Sequence, residues 1–91
     1  MSDDDARREW VNDNIEEDAL FADGFDEAII GISERFGRVP IVAYDRGFCI
    51  SILMERDGMD YEEAVEFFDF NVIGAWVGEG TPEFITLYNE D

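Results

Sequence analysis

Apolar residues recur at helical spacing over Asp60–Gly78, where Tyr61, Ala64, Val65, Phe68, Val72, Ala75 and Trp76 fall on one face. Asp60 can cap the first turn, Glu63 three residues on completes a capping-box pattern, and Gly78 suits the stop. The other side carries an acidic stripe, Glu62, Glu66 and Asp69, with Phe67, Phe70, Ile73 and Val77 beside it. Apolar groups of that size on a solvent face mark an interface. The pattern therefore predicts cover by the N-terminal helix around Trp10, self-association, or a separate partner.

The same reading predicts a helix over residues 6–19 with a narrow stripe of Trp10, Val11 and Ile15, preceded by a flexible acidic tail at 1–5. A second helix is expected over Asp26–Phe36, because Phe25, Ala28, Ile29, Ile32 and Phe36 sit at i, i+3, i+4, i+7 and i+11. Asp26 would be its N-cap and Gly37 its left-handed end. Val39–Tyr44 is short, apolar and rich in β-branched residues, with Pro40 at its start, and reads as a strand. Asp45 can cap a third helix over Arg46–Asp57, which turns Phe48, Cys49, Ile52, Leu53 and Met54 inward and ends at Gly58. After a Gly78–Pro82 loop, Glu83–Tyr88 reads as a second strand. Two strands need helices packed on them. The expected architecture is a single α+β domain over residues 1–91, three to four helices on a two-stranded sheet formed by Ile41–Tyr44 and Phe84–Leu87, with the strand direction open.

Charge changes this picture more than composition does. The 46% hydrophobic fraction is that of a folded domain, but 24 acidic residues face six arginines, with no lysine and no histidine, for a formal charge of −18. Residues 1–27 carry eleven acids against two arginines, residues 28–58 carry four of each, and residues 59–91 carry nine acids and no base. Direct contact with nucleic acid or with an anionic membrane is disfavoured, because phosphates are met by Lys and Arg. Basic partners are favoured. The acidic start is the reverse of a secretory signal and no run has transmembrane length, so a cytoplasmic location is expected.

Residue types also narrow the chemistry. Without histidine there is no Ser-His or Cys-His pair, and without lysine there is no Schiff base or P-loop. Cys49, the single cysteine, lies on an apolar helix face and reads as a buried thiol. Zinc lacks its ligands, and no stretch has the EF-hand spacing. The chain reads as a non-enzyme with no cofactor and no metal.

From Phe25 to Ile85 the chain resembles a family of small acidic proteins encoded by tailed bacteriophages. The resemblance is carried by Phe25-Asp26-Glu27-Ala28, Glu34-Arg35-Phe36-Gly37, Tyr44-Asp45, Ile52-Leu53-Met54, Asp57-Gly58-Met59, Glu63-Ala64, Phe70-Asn71-Val72-Ile73-Gly74-Ala75 and Thr81-Pro82. It implies a viral protein acting in the cytoplasm of a bacterial host, and it brings no activity with it.

Charge and resemblance together lead to one expectation: a phage protein that inhibits a basic, nucleic-acid-binding host protein, such as a restriction or CRISPR defence component, by imitating DNA. The residues expected to bind that partner are Glu62, Glu66 and Asp69, with Glu16, Glu17 and Asp18 from the first segment and Phe67 and Phe70 as apolar anchors. The alternative is a homodimer closed by Phe67, Phe70 and Ile73, whose charge serves solubility or a high-salt cytoplasm.

Overall fold

Three α-helices pack on a three-stranded mixed sheet in the computed structural model, which describes residues 3–15, 19–75, 78 and 80–88. Helix α1 spans Asp3–Asn14, strand β1 Ile29–Ser33, strand β2 Ile41–Asp45, helix α2 Arg46–Asp57, helix α3 Tyr61–Phe67 and strand β3 Glu83–Ile85. The α+β class is as expected, but the sheet has one strand more. Its order is β1-β2-β3, with β1 antiparallel and β3 parallel to β2. The parallel pair needs a crossover, and the two helices α2 and α3 supply it.

The additional strand replaces the helix expected over Asp26–Phe36. A 3₁₀ turn covers Asp26–Ala28, and the chain then extends as β1. The apolar spacing allowed a helix, but Ile29, Ile30 and Ile32 are β-branched and Gly31 interrupts them. Glycine inside a helix costs about 1 kcal/mol. In β1 it sits where the register against β2 shifts, between Ile29 and Gly31. Phe36, expected in the core, is fully exposed at the turn to β2. Asp26 caps nothing; its carboxylate instead receives Arg8 Nε at 2.6 Å.

Strong local signals give the remaining elements. Asp45 accepts from the Phe48 N–H at 3.1 Å to start α2, and Gly58 ends it in the left-handed region at φ 70°. Cys49, Ile50 and Leu53 are its buried residues, while Phe48 and Met54, expected inward, are exposed. At α3 the capping box is complete: Asp60 Oδ1 accepts from the Glu63 N–H at 2.8 Å, and Glu63 Oε1 accepts from the Asp60 N–H at 3.2 Å. Helix α1 begins three residues before the expected Ala6 and ends at Asn14 rather than Ala19. Strand β3 stops at Ile85, and Leu87 and Tyr88 beyond it are exposed.

The long helix expected over Asp60–Gly78 is divided. After α3 the chain makes a wide π-turn over Phe68–Val72 and a 3₁₀ turn over Ile73–Ala75. The Ile73 N–H is shared between the Asp69 and Phe68 carbonyls. Asn71 and Gly74 are weak helix formers, and a Cβ at Gly74 would lie 3.2 Å from the Asp69 carbonyl oxygen. Ala64, Phe68 and Val72 face the core as expected. Tyr61 does not; it opens the helix, ahead of the turn that packs, and is 64% exposed. Trp76 and Val77 lie outside the described residues.

The core sits between the sheet and the helices. Ile41, Val42, Ala43 and Tyr44 of β2 are all buried, as a central strand covered on both faces requires. A line of rings ties the layers together. Tyr44 stacks on Phe84 of β3 at 5.3 Å, Phe84 meets Phe68 edge-on at 5.0 Å, and Phe68 meets Phe25 edge-on at 5.9 Å. The Tyr44 hydroxyl accepts from the Ala22 N–H at 2.8 Å and so anchors the segment before β1. Val11 and Ile15 join the same core from the N-terminal side.

Candidate binding face on α3

The solvent side of α3 and its π-turn holds most of the residues that the sequence singles out. Glu62 and Glu66, one turn apart, are both exposed. None of the six arginines forms an ion pair with either. Like charges four apart on a helix repel by a few tenths of a kcal/mol, and a bound cation would relieve this. Phe67 is 39% exposed, Phe70 75% and Ile73 39%. The expected cover of this side by the helix around Trp10 is absent, because α1 packs against the Asp26–Ala28 turn and β1. Trp10 is itself half-exposed, and it lines a hollow with Ile29 and Ile30.

Asp69 differs from the two glutamates. Its Oδ1 receives Arg46 Nη1 from the start of α2 at 2.9 Å, and the same guanidinium lies 5.3 Å from the centre of the Phe68 ring. One of the three carboxylates of the stripe is therefore already neutralised by the balanced middle of the chain. Glu16, Glu17 and Asp18 lie outside the described residues.

Tyr61, Glu62, Val65, Glu66, Asp69 and Phe70 line a groove of about 300 Å³. They form two neighbouring ridges, 61-65-69 and 62-66-70, each at i+4 spacing. The wide turn lies at one end of the groove and carries Asp69 and Phe70 outward. Tyr61 is the member that the sequence pattern misplaces. The signal for it was its position directly after the N-cap, where a ring has only part of a turn to pack against.

Elsewhere the chemistry is quiet. Cys49 is fully buried, and burial, with help from Asp45, pushes its thiol up to about 12, so the thiolate is scarce at neutral pH. Tyr44 is pushed up to about 12 by burial, against the opposing pull of the Ala22 N–H. Among the described residues no three His, Cys, Asp or Glu side chains gather into a group that could hold a metal ion. A larger hollow of about 450 Å³, lined by Gly24, Asp26, Glu27, Ile52, Glu55 and Arg56, is bridged by Arg56, which donates to the Gly24 carbonyl at 2.9 Å. Among the described residues no helix is long and apolar enough to cross a membrane.

No protein-family model, no curated protein and no solved structure matches this chain.

Proposed function

We propose that this chain is a non-enzymatic binding protein whose α3 face occupies the nucleic-acid-binding surface of a basic partner. The observation that carries the reading is the exposure of Glu62 and Glu66, without an ion-pair partner among the described residues, beside the exposed rings of Phe67 and Phe70. Carboxylates supply long-range steering toward a basic surface, and the rings supply apolar contact once the two meet. The net charge of −18 makes association with an anionic polymer unfavourable and association with its binding proteins favourable. The resemblance to tailed-phage proteins supports a bacterial host, and a defence component as the target follows by analogy with small acidic phage proteins that occupy the DNA-binding surfaces of host enzymes.

The test begins with capture of the partner from a bacterial lysate on the immobilised chain. The purified partner is then titrated with duplex DNA in the presence and absence of the chain. The expected result is mutual exclusion, with association that slows steeply as salt rises past the range where the Debye length is about 8 Å. Glu62→Lys with Glu66→Lys should abolish it without unfolding the chain. A ternary complex of DNA, partner and chain with undiminished DNA affinity would overturn the reading.

Exposure of Phe67, Phe70 and Ile73 on one side also favours a second reading, a symmetric dimer closed by these three. In that case Phe67→Ala with Phe70→Ala changes the mass in solution, and charge reversal does not.

A further inference from the structure

Three arginines of this chain are each held by the same two kinds of group, a carboxylate and an aromatic face. Arg8 meets Asp26 at 2.6 Å and Asp23 at 3.0 Å, and its guanidinium carbon lies 4.6 Å from the centre of the Phe21 ring. Arg46 meets Asp69 at 2.9 Å and lies 5.3 Å from Phe68. Arg56 meets Asp57 at 3.1 Å and lies 5.5 Å from Phe25. The remaining three are placed elsewhere: Arg7 donates to the Ile29 carbonyl, and Arg35 and Arg38 line a hollow with Ile41 and Thr81.

The α3 groove presents the same two kinds of group a fourth time. Glu62 and Glu66 supply carboxylates, and Tyr61 and Phe70 supply exposed rings, along one cleft of about 300 Å³. The chain has no lysine, and none of its arginines pairs with either glutamate. We infer that the groove is a docking site for an arginine side chain of the basic partner, with the guanidinium between Glu62 and Glu66 and its plane against Tyr61 or Phe70.

This inference rests on the basic-partner reading above and names the group that the partner inserts. Arginine fits better than lysine for two reasons. Its planar fork can donate to two carboxylates at once, whereas an ammonium is a compact point charge. Its weaker hydration and flat face also allow stacking on a ring, which lysine does less well. The bound side chain would additionally relieve the repulsion between Glu62 and Glu66. Asp69, which lines the groove, already holds Arg46 in this way from within the chain, one carboxylate on the guanidinium and the Phe68 ring 5.3 Å from it.

Two blocked hexapeptides of equal charge serve as probes, one alternating arginine with glycine and one alternating lysine with glycine. Each is titrated into the full chain at about 0.3 M salt, where diffuse attraction is screened. Binding is read by calorimetry and by backbone amide shifts. The arginine peptide should bind about tenfold tighter or more, with the largest shifts between Tyr61 and Phe70. Tyr61→Leu with Phe70→Leu should bring the ratio of the two affinities close to one while circular dichroism stays unchanged, since both rings are exposed. Glu62→Gln with Glu66→Gln should weaken both peptides. Equal affinity of the two peptides for the wild-type chain, or shifts spread over the other acidic segments instead, would overturn the inference. Mutual exclusion with DNA alongside equal peptide affinities overturns the groove alone. Arginine preference at the groove without DNA exclusion supports it and overturns only the functional reading.

Discussion

Replacing Tyr44 with phenylalanine removes one oxygen from the centre of the molecule and little else. The ring is fully buried, and its stacking on Phe84 at 5.3 Å survives the change. The loss falls on the Ala22 N–H, which donates to the hydroxyl at 2.8 Å. Ala22 is buried, so water cannot replace the lost acceptor. A buried donor left without a partner costs about 1–3 kcal/mol. Sparing the hydroxyl its own desolvation offsets part of this, and the expected net loss is about 1–2 kcal/mol. For a domain of this size that corresponds to a fall in Tm of roughly 5–15 °C. Urea unfolding followed by far-ultraviolet circular dichroism should show a lower midpoint with an unchanged slope. A change under about 0.3 kcal/mol would refute the claim that this bond anchors the segment before β1.

An alkaline titration examines the same group independently. Burial raises the Tyr44 hydroxyl from its ordinary 10.0 to about 12 in the folded chain. Below pH 10 both states hold the proton and the group contributes no slope. Above pH 10 the unfolded chain loses the proton while the folded chain keeps it, so stability falls as pH rises toward 12, by about 2–3 kcal/mol in all. Cys49, raised to about 12 from 9.0, adds a decline that starts near pH 9. Tyr44→Phe should remove only the part above pH 10. If the variant and the wild-type chain decline in parallel up to pH 12, the hydroxyl is not buried as described.

Cys49 in the folded chain should resist a thiol reagent at neutral pH and react fully once urea unfolds the domain, as absorbance of the released thiolate would show. Arg46→Gln should cost about 1 kcal/mol or less in urea unfolding, because its pair with Asp69 is half-exposed, yet it should tighten binding to a basic peptide by freeing that carboxylate. Phe67→Ala and Phe70→Ala, each checked by thermal unfolding, should shift stability by no more than about 1 kcal/mol, since both rings are exposed; a loss of the 3–5 kcal/mol typical of a buried phenylalanine would place them in the core. Gly58→Ala should cost about 1–2 kcal/mol in the same measurement, because φ 70° strains any side chain.

What the sequence made legible was local. Asp45, Gly58, Asp60 and Glu63 act within four residues of themselves, and each does what its type and position suggest. Segment 25–36 failed because its apolar residues satisfy a helical period, and in a short run that period cannot exclude a strand. The deciding factor is pairing with β2, which lies outside 25–36, and within the segment only the β-branched run interrupted by Gly31 favours that pairing over a helix. The acidic stripe was legible as composition, but its internal structure was not. That Arg46 neutralises Asp69 and leaves Glu62 and Glu66 open depends on an ion pair spanning 23 residues. Arg8 likewise reaches Asp26 across 18 residues and turns an expected cap into an ion pair. The exposure of Phe67 and Phe70 is expected from their position beside the acidic stripe, whereas that of Tyr61 depends on where the packed turn of α3 begins.

The parallel pairing of β2 with β3 also sets the order in which the protein can be made. Strand β1 can find β2 as soon as residue 45 is available, across a short loop. Phe84, the ring that links Tyr44 to Phe68, arrives only after both crossover helices. Until then β2 has an open edge and the core lacks the partly buried ring that packs on Tyr44 and Phe68. Closure of the sheet is a long-range event, which slows folding relative to a hairpin and postpones it until residue 85 has been synthesised. The α3 face is built from a contiguous stretch, but the support beneath it, Phe68 on Phe84, comes last. A nascent chain would therefore display its acids well before it holds them in a fixed geometry, and binding that requires the groove would begin only with the completed fold.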